Sequence, residues 1–433
     1  MPERRTKRGR ERTPLAGEYD VLICGASFAG LAVARELRGA RVLIVDRYEV
    51  GERQTSACAA PTEWIHALGL EESVKQTFDR LVVHTPHGTS AWPLPFTFST
   101  FDYPRLCELL DDQNEAEFET AKVNGRSNLR PDGAVLHQDE GLEAPRGNVV
   151  VHTDRGDLTA PLIVDALGWR RVLGTDDNYQ PPEAPLSRGL EVHPHGSGGD
   201  LELWIDRSYV PAGYGWSFPA DDELRIGVGS FDPRYHVKEP TVRLATELGE
   251  DAVRYQGNWI PHKIRSAVDD EIFFAGDSAG HCIPLTAEGI RTAWHFGIAC
   301  GRELQAVVDG RATREEALAR YGAFSDRHRW KFDWMLRAQR AVPRIPPRLL
   351  RGVIAAMGRP ALSHWAFGHY LGIASAPSDR LVAGPDRVPD HVHNEVNGSN
   401  GHEPQQERVE RHRPDGQQRD RDGGDEVRLV VHD

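Results

Sequence analysis

The chain has 433 residues and a formal net charge of −13, from 52 Lys and Arg against 65 Asp and Glu. This length is sufficient for two or three domains with hydrophobic cores of their own. The acidic balance argues against a general nucleic-acid binder, because phosphate binding requires an excess of cations. The five cysteines form no C-x-x-C pair, which favours free thiols in a reducing cytoplasm over disulfides or a zinc site.

The two ends of the chain differ in composition from the rest. Residues 1–17 are basic and lack the apolar core of a signal peptide, so we predict a disordered leader. A leader that contacts nucleic acid or a membrane is the less favoured interpretation. Residues 376–433 are polar with few apolar side chains, which predicts a disordered tail. No run of the sequence approaches the ~18 apolar residues that span a bilayer.

A strand–turn–helix–strand pattern begins at Asp20. An apolar run ends at Cys24, a Gly-Ala-Ser-Phe-Ala-Gly turn follows at residues 25–30, and residues 31–37 have helical spacing. A second apolar strand then ends at Asp46. This order predicts a dinucleotide-binding unit, in which the helix N-terminus faces a pyrophosphate and the acid faces a ribose. The middle glycine of the usual pattern is Ser27, whose side chain crowds the phosphate but whose hydroxyl can donate to it.

The alternative for this motif is a glycine-containing turn in another kind of α/β protein, because the glycine pattern alone has low specificity. The second strand and its acid favour the nucleotide. The motif does not distinguish NAD from FAD, although its place near the N-terminus favours FAD by analogy.

Further along the chain, several short elements surround two more candidate site segments. Strands predicted at residues 81–84 and 90–94, and again between 201 and 229, indicate a meander-like sheet, and a helix is predicted to open at Tyr103. A buried strand ends at Asp165, and another, at 271–275, is followed by Gly276 and Asp277. A carboxylate at that strand end can accept a hydrogen bond from a ribityl or ribose hydroxyl; an ordinary strand–turn–helix junction is an equally good reading of Asp277 alone.

These segments together resemble the FAD-contacting segments of the p-hydroxybenzoate-hydroxylase-like flavoproteins. The matching segments are Gly-Ala-Ser-Phe-Ala-Gly at 25–30, Arg105 at its helix, Asp-Ala-Leu-Gly at 165–168, Gly-Asp-Ser-Ala-Gly at 276–280 and Pro-Leu-Thr-Ala-Glu-Gly-Ile at 284–290. Tyr-Gly-Trp-Ser-Phe-Pro at 214–219, with Gly-Val-Gly at 227–229, resembles the substrate-sheet signature of the geranylgeranyl reductase family. The resemblance covers about residues 18–310.

The resemblance implies a fold and a cofactor. The implied fold is α/β, a Rossmann-type FAD-binding domain with an inserted β-sheet substrate domain and C-terminal helices. FAD would be bound without a covalent bond, and NAD(P)H or reduced ferredoxin would be a transient electron donor. The predicted cofactor contacts are Gly25, Ala26, Ser27, Phe28, Ala29, Gly30, Asp46, Arg47, Arg105, Val123, Gly276, Asp277, Pro284, Gly289 and Ile290.

The resemblance also implies domain boundaries. The FAD domain would comprise residues 18–78, 101–175 and 266–310, and the substrate sheet residues 79–100 and 185–265. Residues 311–375 would form the C-terminal helices.

Tyr214, Trp216 and Phe218 would line a tunnel for an apolar substrate, since burying each methylene is worth ~0.8 kcal/mol. The plain alternative is that alternating aromatic residues are what any half-buried strand favours. Cys58 lies near the position of the active-site cysteine of related reductases, although Ala59 replaces the glycine that follows it there. Cys58 is therefore a candidate proton donor, with a buried structural thiol as the alternative.

For two further sets of residues, an interpretation without a binding role is favoured. His193, His195 and His281 lack the partner spacing of a metal site, so we predict no metal. The basic helical stretch 326–351 is typical of a solvated face; docking on an anionic membrane is its second interpretation.

We therefore expect a cytoplasmic, or membrane-peripheral, FAD-dependent oxidoreductase that reduces C=C bonds of an isoprenoid-like substrate. Two alternatives stay open: a flavin-dependent monooxygenase on the same fold, and an FAD-binding electron-transfer protein. A halogenase fits poorly, because Tyr-x-Trp-x-Phe-Pro stands at residues 214–219 where the related halogenases have Trp-x-Trp-x-Ile-Pro.

Overall fold

A computed structural model describes residues 13–15, 17–54, 56–129, 135–136, 149–175 and 183–377. Most of the predicted leader and nearly all of the predicted tail lie outside these residues. Among the described residues, none of the helices has the length and apolar composition needed to cross a membrane.

A mainly parallel six-stranded sheet forms the first half of the architecture. In spatial order its strands are β17 (Val268–Asp269), β18 (Ile272–Phe274), β11 (Leu162–Asp165), β1 (Val21–Cys24), β2 (Val42–Asp46) and β6 (Glu117–Thr120). All neighbours run parallel except β17, which is antiparallel to β18. The two central strands, β1 and β11, are buried at every residue. This matches their continuous apolar sequences, since a parallel sheet is covered on both faces.

Two helices lie on this sheet and pack closely against each other, because small residues allow their backbones to approach. They are α1 (Phe28–Arg35) and the long α5 (Ile290–Val308). A Cβ at Gly297 would lie 2.7 Å from the Ala29 carbonyl oxygen, and one at Gly301 would lie 2.5 Å from that of Val33. The helix α3 (Tyr103–Asp111) begins after Asp102, whose side chain accepts a hydrogen bond from the Arg105 amide.

An eight-stranded sheet forms the second half. In spatial order its strands are β16 (Gln256–Pro261), β12 (Leu186–Val192), β15 (Glu223–Ser230), β14 (Gly213–Ala220), β13 (Leu201–Trp204), β4 (Val74–Thr85), β5 (Gly88–Phe101) and β3 (Ala59–Pro61). Its pairs are antiparallel except β13 with β4. The predicted meander is confirmed, but β4 and β5 form a hairpin much longer than the two short strands expected there. The helices α2 (Thr62–Ala67) and α4 (Lys238–Glu247) accompany this sheet.

A four-stranded sheet lies in the order β10 (Gly156–Thr159), β9 (Val149–Thr153), β7 (Val123–Leu129) and β8 (Val135–Leu136). Residues 117–129 and 156–165 each pass through both sheets, as β6 then β7 and as β10 then β11. The chain crosses between the two sheets at residues 121–122, between β6 and β7, and at residues 160–161, between β10 and β11. Short 3-10 turns occupy Glu71–Ser73, Gly276–Ala279 and Val342–Arg344.

Three helices close the described chain, as predicted. The first, α6 (Arg314–Ala341), begins with a capping box between Thr313 and Glu316. It is followed by α7 (Pro347–Met357) and α8 (Pro360–Leu371). The last two pack on the long β4–β5 hairpin, where the Trp92 indole donates to the Ile354 carbonyl at 2.9 Å. The helices thereby cover one side of the eight-stranded sheet.

Candidate active site

A cavity of about 1790 Å³ opens where the carboxyl ends of the parallel strands meet the eight-stranded sheet and the C-terminal helices. Ligands of open α/β sheets bind at this end of the strands. Pockets for one small molecule are usually ~300–1,000 Å³, so this cavity has room for a dinucleotide and a second molecule. Its lining is predominantly apolar.

The turn between β1 and α1 presents backbone to this cavity. Gly25 has a φ of +114°, and a Cβ there would lie 2.3 Å from the Ala166 carbonyl oxygen. A Cβ at Gly30 would lie 1.9 Å from the carbonyl oxygen of Gly25. Residues 26–29 line the cavity, and the Ser27 side chain does not cap the helix but lies 3.2 Å from the Tyr103 hydroxyl. The unpaired amides of α1 are therefore available to an anionic group such as a pyrophosphate.

Asp46 lies at the cavity wall at the end of β2. Its carboxylate accepts hydrogen bonds from the Ala26 amide at 2.9 Å and the Tyr48 amide at 3.0 Å. Burial raises its pKa, and the backbone hydrogen bonds partly offset that effect. A carboxylate has about four acceptor positions, so Asp46 stabilises the turn and retains positions for a ribose. Arg47 lines the cavity beside it, with its guanidinium 4.8 Å from the Tyr48 ring centre.

Two buried carboxylates follow neighbouring strands at the same sheet edge and differ sharply in their partners. Asp165, after β11, accepts hydrogen bonds from the Leu167 and Leu173 amides and the Ser278 hydroxyl. Asp277, after β18, lines the cavity, and no described residue donates a hydrogen bond to its carboxylate. Burial raises the pKa of Asp277 from 3.8 to about 7. An unsatisfied buried carboxylate aimed into a cavity fits a ligand hydroxyl, which is what a ribityl chain offers.

The loop before α5 faces the cavity in a strained conformation. Leu285 and Ala287 have φ values of +72° and +54°, which residues other than glycine rarely adopt. The Leu285 amide donates to the Gln339 side chain at 2.7 Å, and Glu288 forms a buried ion pair with Arg291 at 2.7 Å. These contacts hold the loop in place. Gly289 and Ile290 line the cavity, and α5 begins at Ile290.

Trp216 of β14 lies flat over three glycines of the next two strands, β15 and β12. Its ring carbons are 3.5 Å, 2.2 Å and 3.4 Å from the positions that a Cβ would take at Gly189, Gly227 and Gly229. Tyr214 and Phe218, on the same face of β14, also line the cavity. The Tyr214 hydroxyl donates to the Thr286 carbonyl at 2.7 Å, which joins the sheet to the strained loop. The three predicted aromatic residues therefore share one cavity with Asp277.

Cys58 lines the cavity but is fully buried, with a φ of +51°. Its thiol donates to the Ser56 carbonyl at 3.1 Å. Burial raises its pKa well above the ordinary value, so the thiol stays protonated. That state suits a proton donor, although a raised pKa also makes it a weak acid.

Some predicted residues lie elsewhere. The Arg105 guanidinium is not part of the described cavity lining and forms ion pairs with Glu72 and Glu108 on the surface. Pro284 is likewise not in that lining, whereas Gly276 and Val123 are. Gly25 and Gly30 act through their backbone geometry. The predicted cofactor roles of these residues stay predictions.

Two of the histidines considered for metal binding have different partners in the structure. His281 is buried and pairs with the Ser325 hydroxyl, whereas His193 pairs with two carboxylates. Across the described ranges, no group of three or more His, Cys, Asp or Glu is arranged to hold a metal ion.

Two features of the cavity wall could not be predicted from the sequence. Glu191, near the end of β12, places a carboxylate in the cavity. Exposed tryptophans of α6 and α8 form its outer rim. Neither had a motif to identify it, because strand and helix periodicity do not distinguish a cavity wall from a solvated face.

Comparison with known proteins agrees with this geometry. No protein-family model matches the chain. The chain is 26% identical to digeranylgeranylglycerophospholipid reductase 3 of Methanosphaera stadtmanae, over 72% of this chain and 83% of that protein. Among solved structures, a geranylgeranyl bacteriochlorophyll reductase-like protein of Thermoplasma acidophilum superposes with a TM-score of 0.69 at 14% identity, over 83% of this chain and 96% of that one.

A second solved structure is PqsL of Pseudomonas aeruginosa, described as a probable FAD-dependent monooxygenase. It has a TM-score of 0.58 at 18% identity, over 78% of this chain and 99% of that one. The predicted fold and the predicted family resemblance are confirmed. The chain is similar in sequence to digeranylgeranylglycerophospholipid reductases and shares the fold of these two solved structures.

Proposed function

We propose that this protein reduces C=C bonds in a polyprenyl or comparably apolar substrate. The observation that carries the proposal is the shared cavity, in which the unpartnered Asp277 carboxylate and the Tyr214, Trp216 and Phe218 rings line one space. Bound FAD supplies hydride chemistry there. The aromatic wall excludes water from an extended apolar chain, and burial of each methylene contributes ~0.8 kcal/mol to binding.

The proposed cofactor contacts divide by chemistry. The α1 N-terminus and Ser27 face the pyrophosphate, Asp46 the ribose, and Asp277 the ribityl hydroxyls. The strained loop at residues 284–290 runs beside the ring system. Electrons reach the cofactor from NAD(P)H or reduced ferredoxin that binds transiently, since the sequence has no second dinucleotide fingerprint.

A flavin spectrum followed by anaerobic reoxidation tests this function. The purified protein is expected to be yellow, and its reduced form to be reoxidised without oxygen by polyunsaturated isoprenoids and not by their saturated counterparts. Steady oxygen consumption coupled to substrate hydroxylation would instead establish the monooxygenase. Reoxidation by electron carriers alone would establish the electron-transfer protein.

We also propose that the cavity rim rests on an anionic membrane surface. Trp330 and Trp334 of α6 and Trp365 of α8 are 62%, 63% and 63% exposed, and all three border the cavity. Leu349 and Val353 of α7, which lies between α6 and α8 in the chain, are also exposed. Tryptophan is enriched at membrane interfaces, where its ring meets lipid and its N–H meets water.

The charge of this region complements anionic lipid. Residues 334–377 contain six arginines and no Asp or Glu, although the whole chain has a net charge of −13. Basic residues near an anionic surface contribute ~1 kcal/mol each, and salt screens that attraction. An apolar substrate could then enter the cavity from the bilayer without crossing water.

Vesicle sedimentation tests the rim. The parent is expected to bind vesicles of mixed anionic and zwitterionic lipid, less at high salt, with a blue shift of tryptophan fluorescence. Joint replacement of Trp330, Trp334 and Trp365 by serine should weaken binding by ~10-fold or more. Tyr255→Ser, at an exposed site of another region, is the matched control. Undiminished binding of the triple variant would contradict the proposal, and a change from dimer to monomer would show that the rim contacts a second copy.

A further inference from the structure

A buried ionic cluster lies behind the aromatic wall of the cavity. Glu191 of β12 and His193, directly after that strand, are 4% and 2% exposed. The His193 Nε2 lies 3.0 Å from the Glu191 Oε1, and its Nδ1 lies 3.2 Å from the Glu223 Oε1. Glu223 also accepts from the Arg225 guanidinium at 3.1 Å and pairs with Arg254 at 3.2 Å. None of these side chains is required by the cofactor contacts proposed above.

Glu191 is the member of the cluster that reaches the cavity. Its other oxygen, Oε2, accepts a hydrogen bond from the Trp216 indole at 3.2 Å. Gly227 pairs with both Glu191 and Trp216 in the strand register, and its missing side chain leaves the space in which the indole reaches the carboxylate. A carboxyl group in the wall of an apolar cavity carries a large desolvation cost, which is consistent with a chemical role.

His193 is held in its charged form by its neighbours. Burial alone would lower its pKa, but hydrogen bonds and charge from Glu191 and Glu223 outweigh burial and leave its pKa above the ordinary value. Burial would likewise raise the pKa of Glu223, but His193 and Arg225 lower it to about 2. Glu223 is therefore a fixed anion, and the Nε2 proton of the charged His193 faces the Glu191 Oε1. Two carboxylates contact His193: Glu191 of β12 and Glu223 of β15. Arg225 and Arg254 in turn pair with Glu223.

We propose that Glu191 is a catalytic acid that protonates the substrate carbon, with His193 as the positioning residue that stores the proton. This inference rests on the proposed C=C reduction. One carbon of the double bond receives a hydride from reduced FAD, and the π electrons form a C–H bond at the other carbon with the proton from Glu191. Each double bond thus consumes one hydride and one proton.

Substrate binding itself prepares this acid. An apolar chain displaces water from Glu191, and a drier cavity favours the neutral pair over the carboxylate–imidazolium pair. The proton therefore moves from His193 Nε2 to Glu191 Oε1 when the cavity fills. After the product leaves, water returns a proton to the pair. Cys58 lacks such a reservoir, because its thiol donates to a carbonyl oxygen that carries no proton.

Glu191→Gln is the direct test, because glutamine keeps the shape and an acceptor for Trp216. We expect unchanged FAD content and unchanged oxidation by ferricyanide, which needs no proton on carbon. Anaerobic reoxidation by the unsaturated substrate should slow by ~100-fold or more, the usual range for general acid catalysis. In the parent this rate should fall as pH rises through the pKa of His193, because the pair then loses its proton. Glu202→Gln is the control, since Glu202 pairs with His84 outside the described lining of the cavity.

The apoprotein gives a readout that does not require turnover. In ¹⁵N-histidine NMR of the parent, the pKa of His193 should lie above that of an ordinary histidine. In Glu191→Gln and in Glu223→Gln it should lie below the parental value. A parental rate of substrate-dependent reoxidation in Glu191→Gln would overturn the proposal, and so would an ordinary or lower pKa for His193 in the parent. If the parent itself reduces no C=C bond, the proposed function fails instead, whatever the titration shows. Loss of FAD or of folding in Glu191→Gln would mark a structural role, and would also overturn it.

Discussion

An Asp277→Ala variant is expected to lose most of its affinity for FAD, by ~10- to 100-fold, because a hydrogen bond to a charged group contributes ~1.5–3 kcal/mol. Its companion Asp277→Asn should at the same time make the apoprotein more stable at pH 8. The Asp277 pKa is raised by burial from 3.8 to about 7. Between these values the folded apoprotein binds a proton that the unfolded chain does not, so the free energy of unfolding falls as pH rises.

The size of this effect follows from the pKa shift. At pH 8 the ionised Asp277 costs the apoprotein on the order of 4 kcal/mol, at ~1.4 kcal/mol for each pKa unit. Asparagine removes that cost. FAD titration by fluorescence and denaturant unfolding of the apoprotein are the two measurements.

Asp165→Asn is the matched control, because this acid follows a neighbouring strand of the same sheet and is buried, but accepts three hydrogen bonds from the chain. It should reduce stability, since it replaces a satisfied carboxylate. If Asp277→Ala keeps full FAD, or if Asp277→Asn destabilises the apoprotein as Asp165→Asn does, then Asp277 is a structural residue and its cofactor role is wrong.

A Gly227→Val variant is expected to retain FAD and to lose at least ~10-fold in turnover of a long apolar substrate. A Cβ at this position would lie 2.2 Å from a Trp216 ring carbon and 2.7 Å from the Leu190 carbonyl oxygen. The indole must therefore leave the sheet, which fills the cavity and breaks its hydrogen bond to Glu191. Rapid-mixing reoxidation with isoprenoids of increasing length measures the loss.

Gly199→Ala is the control for that variant, because an added Cβ there meets no atom within 4 Å. It should leave turnover and flavin content at the parental level. Parental turnover in Gly227→Val would show that the Trp216 wall does not bound the substrate path. Loss of FAD from Gly227→Val would show that the Trp216 wall also supports cofactor binding.

The cofactor side of the site was predictable because its chemistry is local. Gly25 and Gly30 are needed by the backbone itself, and Asp46 and Asp277 follow directly from strand ends, so sequence order places them at one sheet edge. Arg105 shows the limit of this reasoning. The start of its helix at Tyr103 was predicted correctly, but its side chain turns to Glu72, an acid far away in sequence.

The substrate side depended on contacts across the sheet. The alternation around Glu191 predicts a polar residue on one face of a strand, and water usually lies on that face. Here the register brings Trp216 and Gly227 opposite, and the C-terminal helices close over the same side. The exposed tryptophans could not be predicted for a similar reason, since a helix that borders a cavity has no characteristic spacing of apolar residues.

The mass of the product after a single anaerobic turnover tests the central claim most directly. Reduced holoenzyme mixed with one equivalent of a polyunsaturated isoprenoid lipid should return a product heavier by two hydrogen atoms, and in D₂O the carbon that receives the proton should carry deuterium. A product that gains one oxygen atom when air is admitted, with the double bonds intact without air, would contradict the reductase.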